Sequence, residues 1–449
     1  MNPATRPLLA LGATLAVQML GSMVLTIPSV IAPAVAPALG LSPDRVGLFV
    51  GIAYLAAMLS GLLSGNGVAR LGAVPVSQVA MLACAFGAFI AVAAGPLPLA
   101  LAAVLIGLGY GLINPASTSL LGRHAPLTNR GLFFSVKQTG VPLGVALSGL
   151  AMPWGLRTAG WQTSTVAAGA ACVLLALLLW PAIVRLEPRR TALTGDPARR
   201  SESTQFAGSA SSPGSVSSPG SVSSPGSVSS PGSVPSPGSV PHPGLKAVLG
   251  NRPVLRLSMM SFTFAFTQLC FVTFLVSYLN LSLGRSLVLA AGILAGAQVV
   301  STAARIVWGF VGDRWVEPAT LLGGLGLAMS AASVGLALVP TSAGNVAVAL
   351  AAIVCAATAM GWNGVYFAEL ARLSRPDEVA AMAGASQFFT FSGSMLGPVV
   401  FAEIIRHGGS YSGAYATLAL LPAAAGVMML RQGGGRGHPT AGGPAAPTA

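Results

Sequence analysis

Charge is what this chain has least of. Only 7% of its 449 residues are Asp, Glu, Lys or Arg, against about 25% in soluble domains. A water-facing surface cannot be covered at that density, so a soluble globular fold is excluded. Acid is the scarcer sign: 10 Asp and Glu stand against 23 Lys and Arg, and none of the acids lies in the middle of a long apolar run. An intramembrane carboxylate relay therefore has no candidate. Lysine is nearly missing as well, with Lys137 and Lys246 the only two. The cysteines, Cys84, Cys172, Cys270 and Cys355, stand singly in apolar stretches, and His124, His242, His407 and His438 lie outside such stretches. No C-x-x-C spacing and no Ser/His constellation results. Neither a metal, a cofactor nor an enzymatic activity is expected.

What is present is hydrophobic length. The chain is 53% hydrophobic with a mean hydropathy of +0.76, and a bilayer-spanning helix needs about 20 apolar residues. By that measure spans are predicted at 8–31, 46–66, 73–94, 97–121, 131–152 and 163–184, and again at 254–280, 287–312, 318–339, 345–371, 380–405 and 411–430. Residues 185–252 separate the two sets of six and carry SSPGSV repeats from Ser211 to Val234. Ser, Pro and Gly at that density cannot bury a core. The expected organisation is a helical bundle at 1–184, a disordered linker at 185–252, a second bundle at 253–430 and a disordered tail at 431–449.

A net charge of +13 is high enough for a nucleic-acid binder, but its distribution gives a topology instead. Arg6, Arg70, Arg123, Arg130, Arg314, Arg372, Arg375, Arg431, Arg436 and the linker cluster fall on one side of the predicted spans, against Arg45, Arg157, Arg285 and Arg406 on the other. The positive-inside rule then puts linker and both termini in the cytoplasm of a multi-pass protein of the cell (inner) membrane. The partners expected are the lipid bilayer and a small-molecule substrate, not nucleic acid, and the chain is expected to act as a monomer.

The stretch FFSVKQTGVPLGVALSG, Phe133–Gly149, sets an intramembrane cation, Lys137, beside Gln138 and the small or kinking residues Gly140, Pro142, Gly144 and Gly149. A lysine at a span centre costs roughly 2.5–3.5 kcal/mol on insertion scales unless it pairs, faces a wet cavity or snorkels. Small residues at three- and four-residue spacing let helices approach closely. An offset of 249 pairs Asn114 with Asn363, Arg123 with Arg372, Gln138 with Gln387 and Gly144 with Gly393, and an offset of 244 pairs Gly65 with Gly309 and Arg70 with Arg314. Internal repeats of helices around a midplane site are a transporter signature.

These residues resemble the major facilitator superfamily. GFVGDR, Gly309–Arg314, is similar to its loop motif between the eighth and ninth spans; GNGVARLG, Gly65–Gly72, is the first-half copy with Ala69 where an aspartate is usual. Gly393, Gly397 and Pro398 are similar to its glycine–proline pattern, and GLGYGLINPA, Gly107–Ala116, to its fourth span without the arginine often found there. The resemblance implies an all-α fold of two pseudo-symmetric six-helix bundles. Spans one, four, seven and ten would line a central cavity, and two, five, eight and eleven would form the interface between halves. It makes Gln18, Thr26, Tyr110, Asn114, Thr267, Gln268, Trp362, Asn363 and Tyr366 cavity candidates. It also implies a latch at Asp313 against the start of the fifth span, closing the cytoplasmic gate on one side only.

Arg305 lies eight residues before Asp313, about 12 Å inside that end. With Lys137 it makes two cations on spans the resemblance sets side by side, so an anion between them is expected. The function expected is transport by alternating access, with a small organic anion favoured, bound by Lys137 and Arg305 with Gln138 and Gln387 near. Efflux of a drug-like or neutral solute is the alternative, and a non-transporting sensor a distant third.

Overall fold

The computed structural model describes residues 5–126, 130–181, 186, 245–374 and 379–434. Among them twelve helices are long and apolar enough to cross a bilayer: Arg6–Ala38, Pro43–Ser64, Ala73–Ala91, Pro96–His124, Phe133–Thr158, Gly160–Leu178, Arg252–Ser282, Leu287–Gly312, Pro318–Ala337, Asn345–Leu373, Ala385–Arg406 and Tyr411–Gln432. They form two six-helix halves, and no strand occurs among the described residues. Only helices satisfy every backbone group without a partner strand, which is why a chain this apolar takes this form. Most of the linker and the tail lie outside the described residues. Where the linker ends, residues expected to lack structure form a short helix, Leu245–Gly250, and Asn251 caps the seventh span by accepting from the Val254 amide at 3.3 Å. The last helix likewise runs on to Gly434, past the expected start of the tail.

The helices are less continuous than their apolar runs suggest. The fifth span is interrupted at Thr139, between Arg130–Gln138 and Gly140–Thr158. Pro142 supplies the reason: it has no N–H to give the Gln138 carbonyl four residues back. The tenth span breaks between Ala359 and Asn363. The seventh closes on a π turn, Tyr278–Ser282.

Packing follows the small residues. A Cβ on Gly144 would stand 2.1 Å from the Met19 carbonyl oxygen, and one on Gly393 would stand 2.0 Å from that of Phe262. The fifth span is thus pressed onto the first, and the eleventh onto the seventh, in the same way. Gly140 meets Gln18 and Gly397 meets the Phe266 carbonyl on the same seams.

The halves touch each other through two more such crossings. A Cβ on Gly47 would lie 2.3 Å from the Pro398 carbonyl oxygen, and one on Gly149 would lie 2.8 Å from that of Ala291. Both crossings sit toward the end of the bundle where the second and eighth spans begin, here the far end. Toward the opposite, near end, where the first span begins, Gly309 has open space beside it, and Leu62, Leu63 and Ile306 are exposed. The halves are closed together at the far end by these crossings.

Candidate functional site

Between the halves lies a cavity that holds, with its open mouth included, about 520 Å³ of empty space. The first span gives it Ser22, Thr26 and Ser29, at helical spacing. The fourth gives Tyr110, the seventh Gln268 and Thr273, and the tenth Met360. The remaining walls come from spans expected to form the interface between the halves: Tyr54 from the second, Val141 and Val145 from the fifth, Gln298 and Arg305 from the eighth. Among the described residues Arg305 is the one charged residue in this lining, and no carboxylate belongs to it.

Arg305 is held by broken backbone. Its Nε donates to the Met360 carbonyl at 2.9 Å, and its Nη1 approaches the Gln138 carbonyl at 3.5 Å. Met360 follows the first segment of the tenth span, whose terminal carbonyls lack intrahelical donors. Gln138 is the carbonyl that Pro142 leaves without a partner. One guanidinium therefore serves an orphan acceptor from each half. One turn on, Trp308 Nε1 donates to the Ala357 carbonyl at 3.0 Å, bracing the same broken end. An arginine has five N–H donors. These bonds use two, which leaves three without a protein partner among the described residues.

Lys137 is placed differently from its expectation. It is buried at 2% exposure, donates to Asn114 Oδ1 at 2.5 Å and to Gln138 Oε1 at 3.4 Å, and is not part of the cavity lining. It does not snorkel; it clamps the fifth span to the fourth. Gln138 links the two cations, its side chain accepting from Lys137 and its backbone from Arg305.

Of the other expected residues, Thr26, Tyr110 and Gln268 line the cavity. Gln18 is fully buried behind Gly140 with both amide atoms unpartnered. Tyr366 donates to Ser386 at 2.6 Å, and Trp362 donates to Gln268 at 3.1 Å while packing edge-on to Phe264 and Tyr366. Asn114, Asn363, Gln138, Gln387 and Tyr366 stand outside the lining. Arg70 and Arg314 are exposed, with Arg314 over the Phe310 ring at 4.9 Å. The side chains of Ala69 and Asp313, and the surroundings of Gly65, are outside the described residues, so the latch has no geometry here. Sequence reasoning missed Tyr54, Gln298 and Thr273. Gln298 did carry a signal, since it stands two helical turns before the intramembrane arginine.

Comparison with known proteins fits this architecture. A gallate transporter of Pseudomonas putida is 31% identical over 157 residues, 33% of this chain and 34% of that protein. The 4-hydroxybenzoate transporter PcaK of Acinetobacter baylyi is 29% identical over 152 residues, 33% of each. The chain thus spans about a third of the length of these two relatives. A hexuronate transporter of Bacillus subtilis is 24% identical over 399 residues, 86% of this chain and 85% of that one. Among solved structures, an inward-facing, unoccupied bacterial homologue of the human lysosomal transporter Spinster superposes with a TM-score of 0.69 at 18% identity, covering 95% of each chain. A D-xylose–proton symporter superposes with 0.65 at 15% identity, over 94% of this chain and 96% of that one. The family model of the Major Facilitator Superfamily matches residues 14–398. With twelve apolar helices in two repeated halves around a central cavity, the chain belongs to the Major Facilitator Superfamily.

Proposed function

We propose that this protein moves a small organic anion across the cell (inner) membrane by alternating access, with the substrate carboxylate held by Arg305 beside Tyr110. The observation that carries this is the single cation, free of any carboxylate, in the lining of the central cavity. A guanidinium whose backbone bonds fix its orientation is preorganised for a carboxylate, which it grips through two parallel N–H bonds. The names of the three relatives agree: gallate, 4-hydroxybenzoate and hexuronate are all carboxylates. Lys137 acts from behind the wall, holding Asn114 and Gln138 in place. The near end is the cytoplasmic one, as the arginine distribution requires, so the closed far end makes this an inward-open state. Each chain holds a whole cavity between its own halves, which suits a monomer.

The test is uptake of labelled 4-hydroxybenzoate into proteoliposomes. Arg305→Leu should reduce it to background, and Arg305→Lys should restore little, because a point charge does not replace the planar fork. Lys137→Met should weaken uptake less than Arg305→Leu. Folded Arg305→Leu protein with wild-type uptake would sink the anion reading. It would favour export of a neutral or drug-like solute, which the apolar walls at Val50, Val141, Val145 and Val272 would also receive.

A further inference from the structure

Among the described residues, two buried polar atoms in the cavity wall have no partner, Ser22 Oγ and Gln298 Nε2, and only the second is an amide donor. Gln298 lines the cavity, is 1% exposed, and its amide Nε2 makes no hydrogen bond. Buried polar groups are nearly always paired, and an orphan in a pocket wall points to a missing ligand atom. Its position is informative. Gln298 precedes Arg305 by seven residues on the same helix, which puts both on one face about 10.5 Å apart along the axis. The same wall carries small hydroxyl side chains, Ser22, Thr26 and Ser29 of the first span and Thr273 of the seventh. The cavity therefore has a charged pole at Arg305 and a neutral, hydrogen-bonding pole at Gln298.

We propose that Gln298 is the residue that sets specificity, its Nε2–H donating to a hydroxyl oxygen at the end of the substrate remote from the carboxylate. This rests on the anion reading of Arg305 and deepens it. The two poles are separated on the scale of one six-membered ring bearing a carboxylate and a hydroxyl, with a hydrogen bond of ~2.9 Å at each end. The substrate class is a hydroxylated ring monocarboxylate, with its hydroxyl opposite its carboxylate. A site built to hydrogen-bond a substrate hydroxyl rejects the analogue without one, because its own buried group is then left unpaired.

Binding of 4-hydroxybenzoate and of benzoate to the purified full-length protein, by calorimetry, tests this. Wild type should prefer 4-hydroxybenzoate by tenfold or more. Gln298→Met, which keeps the volume and removes the donor, should bring the two affinities within threefold. Gln298→Asn should give an intermediate ratio, and it decides the matter if the methionine variant does not fold. An unchanged ratio in the variants, no preference in wild type, or no binding of either acid by wild type overturns the proposal. Failure of the anion reading looks different: Arg305→Leu would bind both acids as wild type does, whatever the ratio at Gln298.

Discussion

The two sets of glycine crossings make a prediction that separates folding from gating. Gly47 and Pro398 belong to opposite halves, whereas Gly144 and Met19 belong to the same half. A methyl group at Gly47 would lie 2.3 Å from the Pro398 carbonyl oxygen, 2.8 Å from Ala402 Cβ and 3.0 Å from Phe274 Cζ. A carbonyl cannot turn aside as a side chain can. To regain an ordinary C···O contact of about 3.3–3.6 Å the second and eleventh spans must part by about 1 Å. Overpacking of this kind costs typically 1–3 kcal/mol. At Gly47 that cost falls on the state closed at the far end and is relieved when the halves rock apart there. Gly47→Ala should therefore shift the equilibrium toward the other state by about 5–150-fold, the ratio those energies correspond to. Gly144→Ala meets the Met19 carbonyl at 2.1 Å inside one half. That contact persists in both states, so the expected result is a lower melting temperature with little change in population. The assay is maleimide labelling of Val141→Cys, a position in the cavity wall, in a background without the four native cysteines, all of them buried. Near-end labelling should fall in Gly47→Ala and hold in Gly144→Ala. Equal labelling of well-expressed Gly47→Ala and wild type, or the same response from both variants, would refute the reasoning.

Other outcomes follow from the same geometry. Asn114→Leu leaves the buried Lys137 ammonium with only the 3.4 Å contact to Gln138 and should destabilise by about 3–5 kcal/mol, whereas the Asn114→Leu/Lys137→Met double variant should recover most of that loss; thermal unfolding in detergent reads both, and additive losses would deny the clamp. Replacing residues 203–243 by a short Gly/Ser spacer should preserve uptake, since that composition builds no core; normal membrane expression with lost uptake would oppose it. Asp313→Asn should raise near-end labelling of Val141→Cys and Ala69→Asp should lower it, because a carboxylate at a helix N-terminus is worth roughly 0.3–1 kcal/mol to the closed gate. Unchanged labelling in Asp313→Asn places the latch elsewhere.

Most of the scaffold was legible because its signals are local. Apolar length gave the twelve spans to within a few residues at most ends, and the repeat offsets matched Gly144 to Gly393, which do make equivalent contacts. The first span runs past its expected end at 31 to Ala38, through Pro33 and Pro37, because in a bundle neighbouring helices make up for a proline's lost donor. The site was less legible because what a side chain faces is decided by packing. Lys137 and Arg305 look alike in sequence, one cation each in an apolar run. What separates them is the break at Met360–Trp362, which gives Arg305 a carbonyl at the cavity edge, and the depth of Asn114, which draws Lys137 behind the wall. Neither could be read without knowing which helices adjoin. Gln298 was passed over for a related reason: an amide in an apolar span is commonest as a helix–helix hydrogen bond, and only the full set of neighbours reveals that its donor has none.

The repeat also explains where the two halves had freedom to differ. The offset of 244 that pairs the loop motifs carries Gly47 onto Ala291, and the offset of 249 carries Gly149 onto Pro398. The far-end closure is thus one crossing used twice, with the glycine on the second span in one copy and on the fifth in the other. Either arrangement brings a backbone carbonyl against a bare Cα, so the rocking surface needs one glycine per crossing and is indifferent to which helix of the pair supplies it. The chemistry is not repeated in this way. At the position of Lys137 the second half has Ser386, which accepts from Tyr366; the clamp between neighbouring helices is kept, and the charge is dropped. Since the crossings impose the symmetry and the cavity need not obey it, a cation can be confined to one place, Arg305, at the junction of both halves. There it bonds Met360 within its own half and Gln138 across to the other, so of the two only the Gln138 bond lies in the path of a rocking motion. Under the proposed anion reading, a carboxylate on the same guanidinium competes with that cross-half bond, which gives substrate occupancy a physical hold on the conformational equilibrium.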